Sequence, residues 1–469
     1  MFDPCYTCRR RRIECDRSRM PCAKCEKAGL ECFEKRPVRW VKGMSIRGKM
    51  RGVSVKDAAT ASPAVPKADT ASARANNERI CKLFIVYDSD HNPFRSLISL
   101  AMSNSVLLKA ILALAARHNA NRHSTFDQPP LLNTHDSSNS HNDALLYKCQ
   151  AIQGLSLALN STTLGWQDNI TASIFLLIFL DLLESGSDRW NYHLEGAKKL
   201  IASIQPSPDS QDGNKQDPGR TVQTIRNFIT RQIYVIETLG ASFVRPRLLS
   251  QPITLYQSHM QPGETVHQSF LGCPDHLLSA IQYFSLQRDI MTDLEQFDDV
   301  VNNPYTQNVT DMLESIRNFD CGVWASSQSQ FSSLSLRDVD MLCKLAQSFK
   351  VGALIYGRRV LDALVKDVTS QEVLVCALLS IIGELQEDRV LLKCILWPIF
   401  IAGLECQSRA QREFLTSCLE IFWEDTNCLN VINAFKILQE YWTREDDREL
   451  SSSQWIFNVG HLGRDWLLI

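Results

Sequence analysis

Six of the 16 cysteines fall within the first 32 residues, at Cys5, Cys8, Cys15, Cys22, Cys25 and Cys32. Their spacing is two copies of Cys-x2-Cys-x6-Cys joined by six residues. A Cys-x2-Cys turn lets two thiolates converge on one ion, and zinc accepts tetrahedral thiolate coordination with Zn–S near 2.3 Å. Two separate four-thiolate sites need eight cysteines, and only six are here, so two zinc ions require two shared, bridging sulfurs. Six thiolates and two Zn2+ sum to a charge of about −2, which nearby arginines offset.

Other uses of the six cysteines fit less well. Three disulfides match the even count but not the reduced compartment that the rest of the chain suggests. The duplicated spacing is no ferredoxin pattern. A RING- or LIM-type site wants histidine among its ligands or eight ligands, and no histidine precedes His91. Between Cys8 and Cys15 run Arg9, Arg10, Arg11 and Arg12. A short helix in that interval would project several guanidiniums toward one surface. Arginine pairs bidentately with guanine O6 and N7 in the major groove, or with phosphate. A solvated charge run or an import signal is the plainer account, but beside a metal cluster DNA contact is the stronger reading.

This head resembles the fungal binuclear-cluster (Zn2Cys6) DNA-binding domain, with all six cysteines matching over residues 5–32. The resemblance implies that Cys5 and Cys22 bridge the metals. One zinc would take Cys5, Cys8, Cys15 and Cys22, and the other Cys22, Cys25, Cys32 and Cys5. Pro21 resembles the family's loop proline. Arg11 and Arg12 become the base readers by this resemblance, and Arg9, Arg10, Arg17, Arg19 and Lys24 the phosphate holders. The expected site is a GC-rich, CGG-like triplet. Glu14 departs from the family, which usually carries a basic residue just before the third cysteine.

Charge divides the chain in the same place. Residues 1–56 hold 16 Lys and Arg against 6 Asp and Glu, a net of +10; the remaining 413 hold 34 against 46, a net of −12. A short basic head on a long acidic body points to a nucleic-acid partner for the head. The stretch Lys35 to Arg51 extends the basic field without an acid, and Trp40 within it is a candidate anchor. Residues 57–77 are rich in Ala, Thr, Ser and Pro and read as a flexible linker. No heptad run follows the cluster, so no coiled-coil dimeriser is evident.

From about residue 80 the apolar spacing is helical, with no convincing strands. Leu107, Leu108, Ile111, Leu112, Leu114 and Ala115 make one stripe. Ser187 or Asp188 is placed to cap a helix carrying Trp190, Leu194, Ala197, Leu200 and Ile201. Ile432, Phe435, Leu438 and Trp442 continue the pattern. Polar breaks near 119–143, 205–220, 257–268 and 325–336 read as long loops, with His135 and His141 in the first. The ten other cysteines lie mostly in apolar runs, as buried small hydrophobes do. MFDPCYTC opens no secretory signal, and the longest apolar runs, Ile170 to Leu180 and Cys394 to Leu404, are shorter than the ~20 residues of a spanning helix. A soluble intracellular protein with no membrane partner is expected.

The body resembles the fungal-specific transcription factor domain of the acriflavine sensitivity control type. The segments NPFRSLISLAMSNSVLLKAILALAARH from Asn92, RWNYHLEGAKKLI from Arg189 and LWPIFIAGLE from Leu396 carry the likeness, as does GLECFEKRPVRWVKGMSIRGKMRG from Gly29. The expected fold is mostly α: a two-zinc cluster domain at 1–36, a basic extension and linker at 37–79, and an all-helical regulatory domain at 80–469. Trp190, His193 and Gly196 either line a ligand pocket or pack, with Gly permitting close helix approach. Pro398 starts or kinks a helix. No Walker A loop, Gly-x-Gly-x-x-Gly, Gly-x-Ser-x-Gly or His-Glu-x-x-His occurs, so an enzyme is not expected. The function expected is a nuclear, sequence-specific regulator of RNA polymerase II genes. Double-stranded DNA, co-regulators or the transcription machinery, and a second copy in a homodimer are its partners. The alternative is a ligand-responsive sensor whose helical domain binds a small lipophilic molecule.

Overall fold

The computed structural model describes residues 4–16, 21–30, 32–33, 79–126, 135–160, 167–187, 189–204, 220–250, 265–291, 304–330, 334–447, 455–458 and 465–469. The chain divides into two compact units, Met1–Pro66 and Lys67–Ile469. Arg17, Arg19, the basic stretch 35–51 with Trp40, the linker 57–77 and Asp188 lie outside the described residues.

Among the described residues the first unit holds two short helices, α1 (Tyr6–Arg10) and α2 (Ala23–Lys27), one for each cysteine copy. Cys5 and Cys22 are their N-caps, both extended, and the Cys5 thiol accepts from the Cys8 amide at 3.3 Å. The helix therefore begins at the first cysteine and ends at Arg10. It does not fill the Cys8–Cys15 interval, because the chain turns left-handed at Arg12. Buried hydrophobic residues in this unit are cysteines alone among the described residues. A unit this small with no hydrocarbon core needs a staple to stay folded.

The second unit is helical, with no strand among the described residues. Its helices are α3 (Pro93–Ala101), α4 (Ser105–Asn121), α5 (His135–Leu159), α6 (Gln167–Glu184), α7 (Trp190–Ile204) and α8 (Arg220–Ala241). They continue with α9 (Asp275–Met291), α10 (Pro304–Asn318), α11 (Cys321–Gln328), α12 (Leu336–Val365), α13 (Glu372–Gln386) and α14 (Arg389–Leu392). The last are α15 (Leu396–Glu405), α16 (Arg409–Thr426), α17 (Leu429–Asp446) and α18 (Trp455–Asn458). Two expected loops shrink. The 119–143 break contains the end of α4 and the first turns of α5, and α11 runs through 325–328. In the first case the helix start is polar in sequence, HDSSNSHND, so the apolar period that marks a helix is absent there.

Local chemistry sets the ends of these helices. Asn92 caps α3 by accepting from the Phe94 amide at 2.9 Å, and Asn104 caps α4 through the Val106 and Leu107 amides. Ser335 and Asp338 form a reciprocal capping box at the start of α12. Pro398 falls in the first turn of α15, where its missing N–H costs nothing, so it starts the helix.

One continuous apolar core holds the body. Phe84, Phe94, Phe175, Phe179, Phe228 and Phe270 form a cluster of mostly edge-to-face rings that ties α3, α6 and α8 together. Further along, α12 is the long spine, in contact with α9, α10, α11, α13 and α15. Gly357 on α12 lets Phe284 of α9 approach so closely that a Cβ would meet its ring at 2.4 Å. The runs around Ile170 and Cys394 are fully inside this core, which accounts for their apolarity. No helix among the described residues is long and apolar enough to cross a membrane.

Three buried ionic networks cross the core. Arg359 on α12 grips Glu405 on α15 with two bonds of 2.7 and 2.6 Å and reaches Asp362 at 3.0 Å, while the Trp455 indole donates to Glu405 at 2.6 Å. Lys148 on α5 bonds Asp181 and Glu184 on α6, and Arg117 on α4 bonds Glu184 and His141. Lys198 on α7 bonds Glu237 on α8.

Candidate metal centre and nucleic-acid interface

The six cysteine sulfurs gather into two four-sulfur groups. One is Cys5, Cys8, Cys15 and Cys22; the other is Cys5, Cys22, Cys25 and Cys32; in each all ligand atoms lie within 4.8 Å of one another. Cys5 and Cys22 belong to both. Within the groups, Sγ···Sγ distances are 3.8 Å for Cys5–Cys22, 3.7 Å for Cys5–Cys25 and 3.7 Å for Cys8–Cys22, while Cys8 and Cys25, one from each group, lie 3.8 Å apart. A tetrahedron with Zn–S near 2.3 Å has edges of about 3.8 Å. A disulfide needs about 2.05 Å, and none of the six cysteines is in one. Spacing and donor type thus both fit zinc.

The thiols are not equivalent. Burial raises Cys5 and Cys22, but the amides of Cys8 and Cys25 and the neighbouring thiols outweigh it and hold both below the usual thiol range. Burial and the hydrogen bonds of Cys5 and Cys22 push Cys8 up to about 12, and burial pushes Cys25 up as well.

Each copy closes the same way. After α1, Arg12 adopts φ 54°, and Ile13 donates back to the Cys8 carbonyl at 3.2 Å. After α2, Gly29 adopts φ 62°, and Leu30 donates back to the Cys25 carbonyl at 3.0 Å. This left-handed closure turns the chain so that Cys15 and Cys32 swing back to the cluster. Two clasps tie the copies. The Tyr6 amide donates to the Phe33 carbonyl at 2.7 Å, and the Phe33 amide donates to Thr7 Oγ1 at 3.2 Å. The Asp16 carboxylate accepts from the Ala23 amide at 3.0 Å, capping α2. Sequence reading missed Asp16; an acid placed seven residues before a helix carries no local signal.

The copies differ in what they expose. Where the first has Arg9, Arg10, Arg11 and Arg12, the second has Glu26, Lys27, Ala28 and Gly29. All four arginines are exposed. Arg9 is partly engaged by the Pro4 carbonyl at 3.2 Å. Arg10 closes α1, Arg11 is its C-cap and Arg12 follows it. Lys24 is exposed on α2, and Glu14 is exposed ahead of Cys15. The first copy is therefore a cationic surface set on the cluster, and the second is mixed.

A family model described as the fungal Zn(2)-Cys(6) binuclear cluster domain matches residues 3–40, and one described as the fungal specific transcription factor domain matches residues 77–469. The chain belongs to the fungal zinc-cluster transcription factors. The cluster domain of this family binds two zinc ions, and its members are DNA-binding regulators rather than enzymes. Among similar proteins is the acriflavine sensitivity control protein acr-2 of Neurospora crassa, 25% identical over 83% of this chain and 63% of the relative. Another is the phomenoic acid biosynthesis cluster-specific transcriptional regulator of Leptosphaeria maculans, 20% identical over 93% of this chain and 85% of the relative. The chain thus spans less than two thirds of the Neurospora protein. No solved structure matches it.

In the zinc-cluster factor's body, the candidate ligand residues separate. Trp190 is fully buried and donates its indole N–H to the Asp465 carbonyl at 3.2 Å. His193 bonds the buried Asp181 at 2.9 Å. Gly196 faces open space, so it permits no close approach; Gly240 does that work, where a Cβ would meet Trp190 at 2.9 Å. Of the scattered cysteines, Cys149 and Cys376 are exposed, Cys343 is half-buried and the other seven are buried. Burial pushes Cys394, Cys406, Cys418 and Cys428 up to about 12, as inert core thiols.

Proposed function

We propose that this factor is a nuclear regulator of RNA polymerase II genes that reads GC-rich, CGG-like duplex DNA through its head. Cys5, Cys8, Cys15 and Cys22 hold one zinc, and Cys22, Cys25, Cys32 and Cys5 the other. The observation that carries the reading is the pair of four-sulfur groups sharing Cys5 and Cys22, with four exposed arginines on the first copy only. The metals fold the head, since sulfur is its whole described core. Arg11 and Arg12, at and beyond the end of α1, enter the major groove and pair with guanine. Arg9, Arg10 and Lys24 hold phosphates, and Arg17 and Arg19, outside the described residues, join them. Phosphate contacts fix register, while base contacts give specificity.

The body regulates and recruits co-regulators or transcription machinery, with a homodimer as the assembly that would pair two sites. Its acidic surface, net −12 over residues 57–469, keeps it off DNA. The apolar runs around Ile170 and Cys394 are buried core, so they do not themselves argue for a lipophilic ligand.

The test is selection from random duplex DNA with the purified full chain. Enrichment of a GC-rich triplet is expected, and Arg11→Ala should cost about 1–3 kcal/mol at one base position and relax specificity there. Equal recovery of all duplexes would remove the reading. A uniform loss across sequences would make Arg11 a phosphate contact instead.

A further inference from the structure

The body holds a cavity of about 160 Å³ at the junction of α10, α12 and the start of α13. Its lining is two-sided. Leu313 and Leu354 are buried and Leu374 half-buried, giving an apolar floor. Arg317, Arg358, Thr369, Ser370 and the buried Gln371 give the polar side. An engineered cavity of about 150 Å³ lined by hydrocarbon accepts benzene, so this one accommodates a body of that size.

The two arginines are only partly engaged. Arg358 uses Nε, donating to Thr369 Oγ1 at 3.0 Å with Asp362 at 3.6 Å. Arg317 uses Nη1, donating to Glu314 Oε2 at 3.0 Å in an i, i+3 pair whose side chains are half exposed. Such an exposed pair is worth little and yields readily to a competing carboxylate. Both Nη atoms of Arg358 and two nitrogens of Arg317 have no partner among the described residues. Asp362 is already committed to Arg359 and Thr369, so it does not saturate Arg358. Guanidinium forks with free donors above an apolar floor match a carboxylate carried on a ring or short chain.

We propose that this cavity binds a small organic acid, one carboxylate on an apolar body of about six carbons. The site is independent of the DNA-binding head. Arg317 and Arg358 take the carboxylate, and Leu313, Leu354 and Leu374 enclose the apolar part. Binding here would link α10 and α13 across α12, the spine of the regulatory body.

Calorimetry on the zinc-loaded full chain with benzoate and hexanoate tests the site, with benzyl alcohol and inorganic phosphate as comparisons. Saturable binding of either acid is expected, with benzyl alcohol at least about tenfold weaker and Arg317→Gln weakening the acids about tenfold. Arg317 is half exposed, so that variant should keep its melting temperature. A filling variant, Leu374→Phe, should weaken the acids as well and offers an independent check if Arg317→Gln unfolds. No saturable binding of either acid overturns the proposal, as does unchanged affinity in both folded variants. Equal binding of benzyl alcohol overturns the carboxylate assignment, and binding of phosphate alone would make this an inorganic anion site.

Discussion

Arg12 and Gly29 stand at the same register of the two cysteine copies and share a left-handed backbone. Glycine takes that conformation freely, whereas a residue with a Cβ is strained by about 1–2 kcal/mol. The factor accepts the strain where it gains a guanidinium on the cationic copy. Arg12→Gly should therefore leave the zinc-bound head as stable or slightly more stable in thermal melts, while binding to its preferred DNA weakens. A lower melting temperature would mean that the Arg12 side chain supports the fold instead. His118 makes the second residue-scale case. It is buried on α4, and burial, with Arg122 and Arg79 adding to it, lowers it to about 4 from 6.5. The unfolded chain then binds more protons between those values, so stability is full above pH 6.5 and drains as pH falls toward 4. The loss is at most roughly 3 kcal/mol, with His141 lowered in the same direction. Denaturant unfolding across this range should show the decline, and His118→Gln should flatten it; an unchanged slope would exclude His118 as its source. Neither feature is legible in sequence. Cysteine spacing points to the two sulfur groups because a shared metal would impose it, but the backbone sign at Arg12 emerges only from the fold.

At the scale of elements, the helical character of the body was readable from the stripes on α4, α7 and α17, since Leu107, Leu194 and Leu438 are all buried. What the pattern could not supply was the polar interior. Asp181 directly follows the apolar run of α6, yet it is buried and pairs with Lys148 and His193 on two other helices. An isolated acid beside such a run has no partner visible in one dimension, and its partners lie 33 and 12 residues away. The polar opening of α5 hid its helix for the related reason that its anchor, the Arg117 guanidinium hydrogen-bonded to the His141 ring, is polar rather than apolar. The Arg359–Glu405 pair shows how much such contacts matter. Both side chains are almost fully buried, and Glu405 also receives the Trp455 indole. Arg359→Met should destabilise the body by about 3–5 kcal/mol, because it strands a buried carboxylate. Pairing it with Glu405→Met should recover much of the loss in the same denaturation assay. Equal losses in the single and double variants would show that the cost comes from packing rather than from the unpaired charge.

For the whole molecule, the near-zero net charge of −2 is the sum of a +10 head region and a −12 remainder. The two units are built on different principles. The body folds on a large apolar core, and the head has sulfur where a core would be. Removing zinc should thus unfold the head and spare the body. One titration tests the central claim most directly: zinc content by native mass spectrometry, and discrimination between selected and scrambled duplexes, followed together as a chelator is added to the full chain. The account predicts two zinc ions per chain at the start and sequence discrimination lost in step with the metal. The far-ultraviolet helical signal of the body should hold throughout. A zinc content other than two, or discrimination that survives complete metal removal, would contradict it.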